Sequence, residues 1–334
     1  MSYSNINFNN NTILITWGAG FIVSNLAFFF KENFPESTIV IFDCFRNEST
    51  FSNGNLKSFG HYKNLVGFNS QIICGNINNK KNLLMLDDFK FDFIFHQAAI
   101  SDTRVYDQEE VMKTNVNSFY DLLEIAQRDN SVLIYASSAA TYGNQPSPQT
   151  VGKENPENPY GFSKYIMDRI AEKFTKKNPS MTIVGLRYFN VYGPREFYKG
   201  NTSSMIIQLG HQILNSKNPR LFEDSQSIFR DFVYIEDVIQ ANIKACSPIK
   251  NGTFNVGTGV PRSFEEILTI LKAELGSNLE TEYFINPHKG YQTHTQANIN
   301  STKKYLGFEP NFSLEKGIKA YIPEIKRTFF KGLL

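Results

Sequence analysis

Short apolar runs alternate with amphipathic stretches along the first 190 residues. Runs of four to six β-forming residues, bounded by turn residues, predict strands. Longer stretches with apolar residues three and four apart predict helices. The predicted strands cover 12–16, 38–42, 71–74, 91–95, 131–136 and 181–186, and the clearest helices cover 24–34, before Pro35, and 109–128.

This βα alternation predicts an α/β fold with a doubly wound parallel sheet, Rossmann-like in its arrangement. After Asn190 the alternation weakens into loops and helices, punctuated by Gly193-Pro194 and Asn218-Pro219. We expect that later part to form a smaller substrate-binding lobe.

Composition excludes several classes of protein. Of 334 residues, 41% are hydrophobic and 20% charged, which is enough apolar surface for a folded core. Lys and Arg total 34 against 32 Asp and Glu, so the charge balance predicts no basic surface for non-specific binding of polyanions, and nucleic acid is not an expected partner. Three widely spaced cysteines, with no His/Cys cluster, predict neither disulfides nor a metal site. With no run of 18 apolar residues and no leader-like segment, we expect a cytoplasmic protein with no membrane partner.

A glycine-containing turn, TWGAGFIVS at 16–24, follows the first predicted strand. Dinucleotide-binding turns place glycines at three spaced positions, which here hold Trp17, Gly20 and Val23. Asp43 ends the next strand, where a carboxylate can accept from an adenosine ribose hydroxyl or can serve as an ordinary turn residue. Arg46 could instead meet a 2′-phosphate.

Tyr160 and Lys164 are four residues apart at the start of a predicted helix, so their side chains share one face. An adjacent ammonium is expected to lower the pKa of a tyrosine, which makes the pair a plausible proton-transfer device. Ser138 lies in the serine-rich loop after the 131–136 strand and could hydrogen-bond the same hydroxyl. An isolated surface pair on a helix is the alternative interpretation.

Ser138, Tyr160 and Lys164, in this order after a glycine turn and Asp43, resemble the extended short-chain dehydrogenase/reductase family. The strings RYFNVYGPR at 187–195, RDFVYIED at 230–237 and FNVGTG at 254–259 are similar to its nucleotide-sugar epimerase branch. GPREFYKG at 193–200, LFE at 221–223 and YQTHTQA at 291–297 resemble the ADP-heptose epimerases of that branch. The resemblance covers nearly the whole chain.

This resemblance implies a nicotinamide-dependent isomerase of ADP-heptose, of the kind that supplies heptose for the lipopolysaccharide core. Tyr160 would exchange a proton with the C6 hydroxyl during transient oxidation at C6, and re-reduction on the other face would invert that centre. Lys199 lies where the heptose epimerases carry a second acid/base. Lys164 would hold the nicotinamide ribose and Ser138 would steady the substrate oxygen.

The resemblance also implies binding residues, a bound NADP (NAD being possible) and a homo-oligomer. Residues 1–186 and 229–257 would form the dinucleotide-binding domain, and 187–228 and 258–334 the substrate-binding domain. The implied cofactor contacts are Gly18, Gly20, Phe21, Ile22, Asp43, Arg46, Asn76, Ile77, Gln97, Ala98, Ala99, Ser101, Asn115, Tyr160, Lys164, Val191 and Lys199. The implied ADP-sugar contacts are Asn190, Asn201, Gln208, Phe222, Glu223, Asp224, Ser225, Arg230 and Tyr291.

Three residues depart from the family pattern. Trp17 and Val23 replace glycines of the turn, and Asn76 stands where an acid usually contacts adenine. A side chain at the first glycine costs about 1–3 kcal/mol, and we expect the indole to project toward the pyrophosphate channel. At Val23, overpacking of roughly 1–3 kcal/mol is expected to wedge the helix off the strand. Two alternatives remain open: another nucleotide-sugar epimerase or dehydratase of the same family and, owing to Trp17 and Val23, a cofactor-deficient sugar-nucleotide-binding protein.

Overall fold

A seven-stranded parallel sheet forms the centre of the computed structural model, which describes residues 3, 5–286 and 292–331. Its strand order is β10-β6-β5-β4-β1-β2-β3. The strands are β1 Thr12–Thr16, β2 Thr38–Asp43, β3 Gln71–Cys74, β4 Phe93–His96, β5 Val132–Ser138, β6 Ile183–Tyr188 and β10 Gly252–Val256. This arrangement confirms the Rossmann-like fold predicted from the alternating pattern.

Helices lie between the strands and after them. They are α1 Phe21–Asn33, α2 Lys80–Leu83, α3 Gln108–Met112, α4 Ser118–Asp129, α5 Pro159–Lys177, α6 Met205–Leu214, α7 Ile235–Ala245, α8 Phe264–Leu275, α9 Asn300–Leu306 and α10 Leu314–Lys331. In the described part of the chain, none is long and apolar enough to cross a membrane.

The alternation of side chains along β1 shows how the sheet is buried on both faces. Ile13 and Ile15 belong to the apolar core that includes Leu26 and Phe30 of α1. Leu14, which points to the opposite face, belongs to a second core. A strand covered on both faces has no polar side to show, which explains the continuous apolar runs of the sequence.

Two smaller sheets occupy the later half of the chain, where the sequence predicted loops and helices. One contains β11 Pro261–Ser263, β9 Phe229–Tyr234 and β7 Asn190–Tyr192, and the other pairs β12 Glu282–Phe284 with β8 Arg220–Phe222. Most of these strands have three residues, too few for a periodic pattern to show. The division into two domains stays a prediction.

Two helix boundaries differ from the sequence prediction. The first helix begins at Phe21, three residues before the predicted start, with Gly20 as its N-cap. The predicted helix 109–128 is interrupted by a π-helical segment, Lys113–Asn117, between α3 and α4. Asn115 lies in that segment with its side chain fully buried.

Candidate active site

A cavity of about 1210 Å³ opens at the carboxyl ends of the central strands. Ligands of open parallel sheets bind at this edge. The structure brings many of the predicted site residues together around it: Gly20, Phe21, Ile22, Gln97, Ala99, Ser101, Ser138, Tyr160, Lys164, Asn190, Val191, Lys199 and Arg230.

Tyr160 is held beside Ser138 by the start of α5. The Asn158 side chain caps this helix by accepting from the Gly161 backbone N–H at 2.8 Å. A Cβ at Gly161 would lie 2.4 Å from the Ala140 carbonyl oxygen, so glycine is required for the helix to pack on the turn after β5. This close approach lets Ser138 hydrogen-bond the Tyr160 hydroxyl.

Burial raises the pKa of Tyr160 above its usual value, and the hydrogen bond with Ser138 opposes this only in part. The prediction of a net lowered pKa for this tyrosine is therefore wrong, although the favourable effect of a nearby ammonium on a phenolate is not contradicted. Removal of the phenol from water disfavours the phenolate, and this cost outweighs the favourable contacts.

Lys164 is almost fully buried, at 1% exposure, on the same face of α5. Among the described residues, its ammonium has one hydrogen-bond partner, the Met167 sulfur at 3.6 Å. Burial lowers the pKa of Lys164 to about 7, although Asp168 opposes the shift. A buried ammonium so poorly satisfied by the protein is suited to a polar ligand in the cavity.

The turn after β1 keeps its backbone form despite the missing glycines. Trp17 adopts the left-handed φ of 64° that normally favours glycine, and its N–H donates to the Phe42 carbonyl at 2.7 Å. Gly18 is needed for packing, because a Cβ there would lie 2.5 Å from Ile41 Cγ2. Gly20 leaves the first turn of α1 without a side-chain cap or an acidic residue, so its amides can receive an anion.

The two departures from the glycine pattern both line the cavity. The Trp17 indole N–H donates to Ser58 Oγ at 3.2 Å, and the side chain packs against the second apolar core; its projection toward a pyrophosphate stays a prediction. Val23 is 3% exposed and belongs to the core between α1 and the sheet. β1 pairs in parallel register with both β2 and β4, so the sheet is regular with valine at position 23; displacement of the helix from the strand stays a prediction.

Asp43 holds the turn rather than facing the cavity. Its carboxylate accepts from the backbone N–H groups of Ala19 at 2.9 Å and Phe45 at 2.6 Å. The side chain is 1% exposed, and burial raises its pKa to about 6. The structure thus shows the turn-residue role that the sequence left open, while Arg46 is partly buried and donates to the Tyr198 carbonyl at 3.5 Å.

Lys199 lines the same cavity as Ser138 of β5 and Tyr160 of α5, but from a separate segment of the chain. It lies in a short 3₁₀ segment, Phe197–Thr202, and its ammonium is 5.6 Å from the centre of the Phe21 ring. Burial lowers the pKa of Lys199, and the charge of Glu196 opposes that shift. A lysine with a lowered pKa is able to exchange protons nearer neutral pH.

Several predicted residues have structural roles in the described part of the chain and do not line this cavity. Asn115 clamps the loop after β4, with its side chain bonded to both backbone groups of Ile100 and to Ser163. Ser225 donates to Glu265 at 2.6 Å. The others away from the cavity are Gly18, Asp43, Arg46, Asn76, Ile77, Ala98, Asn201, Gln208, Phe222, Glu223 and Asp224. Tyr291 lies outside the described residues.

Sequence reasoning missed other residues of the cavity wall. Phe59, Thr103, Arg104 and Gln292 line it from loops. Tyr188, at the end of β6, also lines it, and its hydroxyl donates to Asn242 Oδ1 at 3.1 Å. Tyr188 follows an apolar strand and could have been found from that position; the loop residues carry no periodic signal.

Comparison with known proteins agrees with this geometry. The family model described as "NAD dependent epimerase/dehydratase family" matches residues 13–257. A curated ADP-L-glycero-D-manno-heptose-6-epimerase from Brachyspira hyodysenteriae is 36% identical over 95% of this chain and 98% of its own length.

Solved structures show the same similarity. The crystal structure of the Helicobacter pylori ADP-L-glycero-D-manno-heptose-6-epimerase is 49% identical, with a TM-score of 0.88, over 98% of this chain and 99% of that one. The Bacillus cereus UDP-glucuronic acid 4-epimerase, solved with UDP-glucuronic acid and NAD, is 27% identical with a TM-score of 0.80 over 95% and 99% of the two chains. On this evidence the chain belongs to the NAD dependent epimerase/dehydratase family.

Proposed function

We propose that this protein is a nicotinamide-dependent epimerase that inverts C6 of ADP-D-glycero-D-manno-heptose. The observation that carries the proposal is that one cavity is lined by two proton-transfer candidates from separate elements, Tyr160 and Lys199. Similarity to two ADP-heptose epimerases over nearly the full length supports the substrate.

The residues present fit a bound dinucleotide. The uncapped first turn of α1 offers amides for a pyrophosphate, and the buried ammonium of Lys164 offers a charged donor for ribose hydroxyls. A nicotinamide, when bound, supplies a reversible hydride acceptor, so the isomerisation consumes no net oxidant.

The chain's own groups provide the proton chemistry. Tyr160 exchanges a proton with the C6 hydroxyl, and Ser138 orients that oxygen by hydrogen bonding. Because burial disfavours the Tyr160 phenolate, a charged Lys164 ammonium on the same helix face is the group best placed to offset that cost once substrate fills the cavity. Lys199 serves the opposite face, which an inversion requires and a simple dehydrogenation does not. Arg230, 6% exposed at the cavity wall, supplies a guanidinium suited to the ADP pyrophosphate.

We infer that NADP is preferred to NAD. Two backbone N–H groups hold the Asp43 carboxylate away from the cavity, so this charge neither accepts from a ribose hydroxyl nor strongly repels a 2′-phosphate. Arg46, three residues later, is a cation that a 2′-phosphate could recruit, although here its guanidinium donates to the Tyr198 carbonyl and does not line the cavity. A homo-oligomer remains our expectation.

Conversion of the substrate tests this function directly. Purified protein is incubated with ADP-D-glycero-D-manno-heptose and the C6 epimer is followed by proton NMR, with UDP-glucose as the competing substrate. We expect inversion at C6 of the heptose and no net change in the reduced cofactor. Turnover of UDP-glucose but not of ADP-heptose would assign the chain to another epimerase of this family.

A cofactor-deficient binding protein is the second candidate, and Trp17 and Val23 favour it because both line the cavity. Denaturing the purified protein and identifying released nucleotides by mass spectrometry separates the two. NADP in the released fraction supports the epimerase; protein that binds ADP-sugar but neither releases nor takes up a nicotinamide dinucleotide supports the silent binder.

A further inference from the structure

A buried carboxylate, Glu196, lies three residues before Lys199 and has no part in the chemistry described above. We propose that Glu196 is a positioning residue that fixes the Lys199 segment against the cavity and supplies the counter-charge to its ammonium. The proposal rests on the proposed function, in which Lys199 serves one face of the substrate.

Hydrogen bonds to Glu196 close the segment at both ends. Its carboxylate accepts from the Gly193 N–H at 3.3 Å and from the N–H and hydroxyl of Ser204, each at 2.7 Å. Its backbone carbonyl accepts from the Lys199 N–H at 2.9 Å. One side chain therefore hydrogen-bonds both ends of the segment 193–204, and Lys199 lies between the two bonded ends.

The side chain of Glu196 is fully buried, at 0% exposure. A buried carboxylate is costly unless donors and a positive charge compensate it. Here three donors and the Lys199 ammonium do so, and the attraction is mutual: Lys199 lowers the pKa of Glu196 against the larger effect of burial, and Glu196 raises the pKa of Lys199 against the same effect. A residue needed only for packing would not require a charge at this position.

Burial has the largest effect on the charge of Lys199, and Glu196 is the charged group that opposes it. Phe21 presents an aromatic ring to the ammonium from α1, and Glu196 is the charged group that acts on it from its own segment. From α10, Tyr321 faces the carboxylate, and the charge of Glu196 helps to raise the pKa of this tyrosine far above its usual range. Tyr321 is therefore neutral wherever the enzyme is active.

Three variants separate charge from mechanical support. Glu196→Gln keeps the shape of the side chain but removes its charge. Glu196→Asp restores the charge on a shorter side chain. Ser204→Ala removes one of the three donors and leaves the charge intact, which makes it the matched control for loosening of the segment.

The first measurement does not depend on epimerase activity. The purified protein is labelled with limiting acetic anhydride over a pH series, and the acetylated fraction of Lys199 is read by peptide mass spectrometry. We expect the apparent pKa of Lys199 to be lower in Glu196→Gln than in the natural chain, and to be unchanged in Ser204→Ala and largely restored in Glu196→Asp. Thermal unfolding of each variant verifies that a folded protein is being labelled.

The second measurement is the pH dependence of kcat. In Glu196→Gln, the limb of the kcat pH profile that reports the ionisation of Lys199 should move to lower pH. The value of kcat should also fall by up to about 10²-fold, because the lysine is misplaced. An unchanged labelling pKa of Lys199 in folded Glu196→Gln would overturn the proposal. Failure of the proposed function looks different: the natural chain would then not epimerise ADP-heptose, whatever the labelling shows.

Discussion

The ammonium of Lys199 lies 5.6 Å from the centre of the aromatic ring of Phe21. Phe21 is the first residue of α1, the helix that follows the glycine turn. This contact brings a loop from beyond residue 190 onto the wall of the cavity formed by the first strand and helix. A lysine there and Tyr160 on α5 approach one cavity from different elements. In an inversion by oxidation and re-reduction, hydride leaves one face of C6 and returns to the other, and the C6 oxygen loses and regains a proton; two proton-transfer groups around one cavity suit this chemistry.

Tyr160→Phe should lower the epimerisation rate by about 10²–10⁴-fold, because it removes the hydroxyl that exchanges the substrate proton. Only one oxygen is lost, so the fold and the affinity for ADP-sugar should be nearly unchanged. Single-turnover kinetics and calorimetric binding measure the two effects. Tyr165→Phe, five residues later on α5 and at a residue that lines a neighbouring cavity, is the matched control. Near-normal turnover of Tyr160→Phe would remove this residue from the mechanism.

Lys199→Ala should be as damaging to kcat as the tyrosine variant, since each face of the substrate needs its own proton donor. Lys217→Ala, at an exposed lysine after α6, controls for the loss of one positive charge. The comparison is made at saturating substrate. If Lys199→Ala raised KM while kcat stayed high, Lys199 would be a binding residue and the two-base mechanism would be wrong.

A buried histidine should make stability depend on pH. The Thr16 hydroxyl accepts from the N–H groups of Gln97 at 3.1 Å and Ala98 at 3.2 Å, so its own hydrogen is donated to His96 Nδ1 at 3.0 Å. Burial, aided by the charge of Lys164, lowers the pKa of His96 to about 3. The unfolded chain binds this proton near the ordinary value of about 6.5, so the folded state loses stability as pH falls between those values.

His96→Asn keeps an acceptor for Thr16 but does not titrate. Between about pH 7 and pH 5, its free energy of unfolding should therefore fall by about 2 kcal/mol less than that of the natural chain. Urea unfolding at the two pH values gives the difference, and using the difference cancels the opposing contribution of Asp43. Identical pH dependence in both proteins would show that His96 is not neutral in the folded state.

The central parallel sheet could be predicted from the sequence, because strands that are buried on both faces appear as continuous apolar runs such as 12–16 and 38–42. The sequence was also sufficient to bring Ser138, Tyr160 and Lys164 to one cavity, since strand ends and helix spacing fix their places. It did not reveal the direction in which the pKa of Tyr160 shifts, which depends on how far the folded chain buries the phenol. Nor could it show that Asp43 turns inward to Ala19, or that Glu196, in a polar loop, is fully buried.

The altered glycine turn gives the last prediction, because Trp17 is the chain's only tryptophan and lines the cavity. Its left-handed φ of 64° costs roughly 1–2 kcal/mol in a residue with a Cβ. Replacing both Trp17 and Val23 with glycine removes that strain. It also opens the end of the cavity next to the first turn of α1, where we propose that the pyrophosphate binds. Glycine also adds freedom to the unfolded chain, by up to about 1 kcal/mol per site, and at position 23 it removes a buried side chain from the core, so the unliganded double variant should be less stable than the natural chain.

We therefore expect Trp17→Gly with Val23→Gly to bind NADP more tightly than the natural chain and to raise epimerase activity. A ligand that binds only the folded state stabilises it by RT ln(1 + [L]/Kd), so the melting shift over an NADP series measures the gain. In the natural chain, quenching of Trp17 fluorescence by NADP gives Kd independently, and the two single variants assign the effect to one site or the other. Equal melting shifts in the natural chain and the double variant would show that Trp17 and Val23 do not obstruct the pyrophosphate site. They would also show that the backbone strain at Trp17 does not affect cofactor binding.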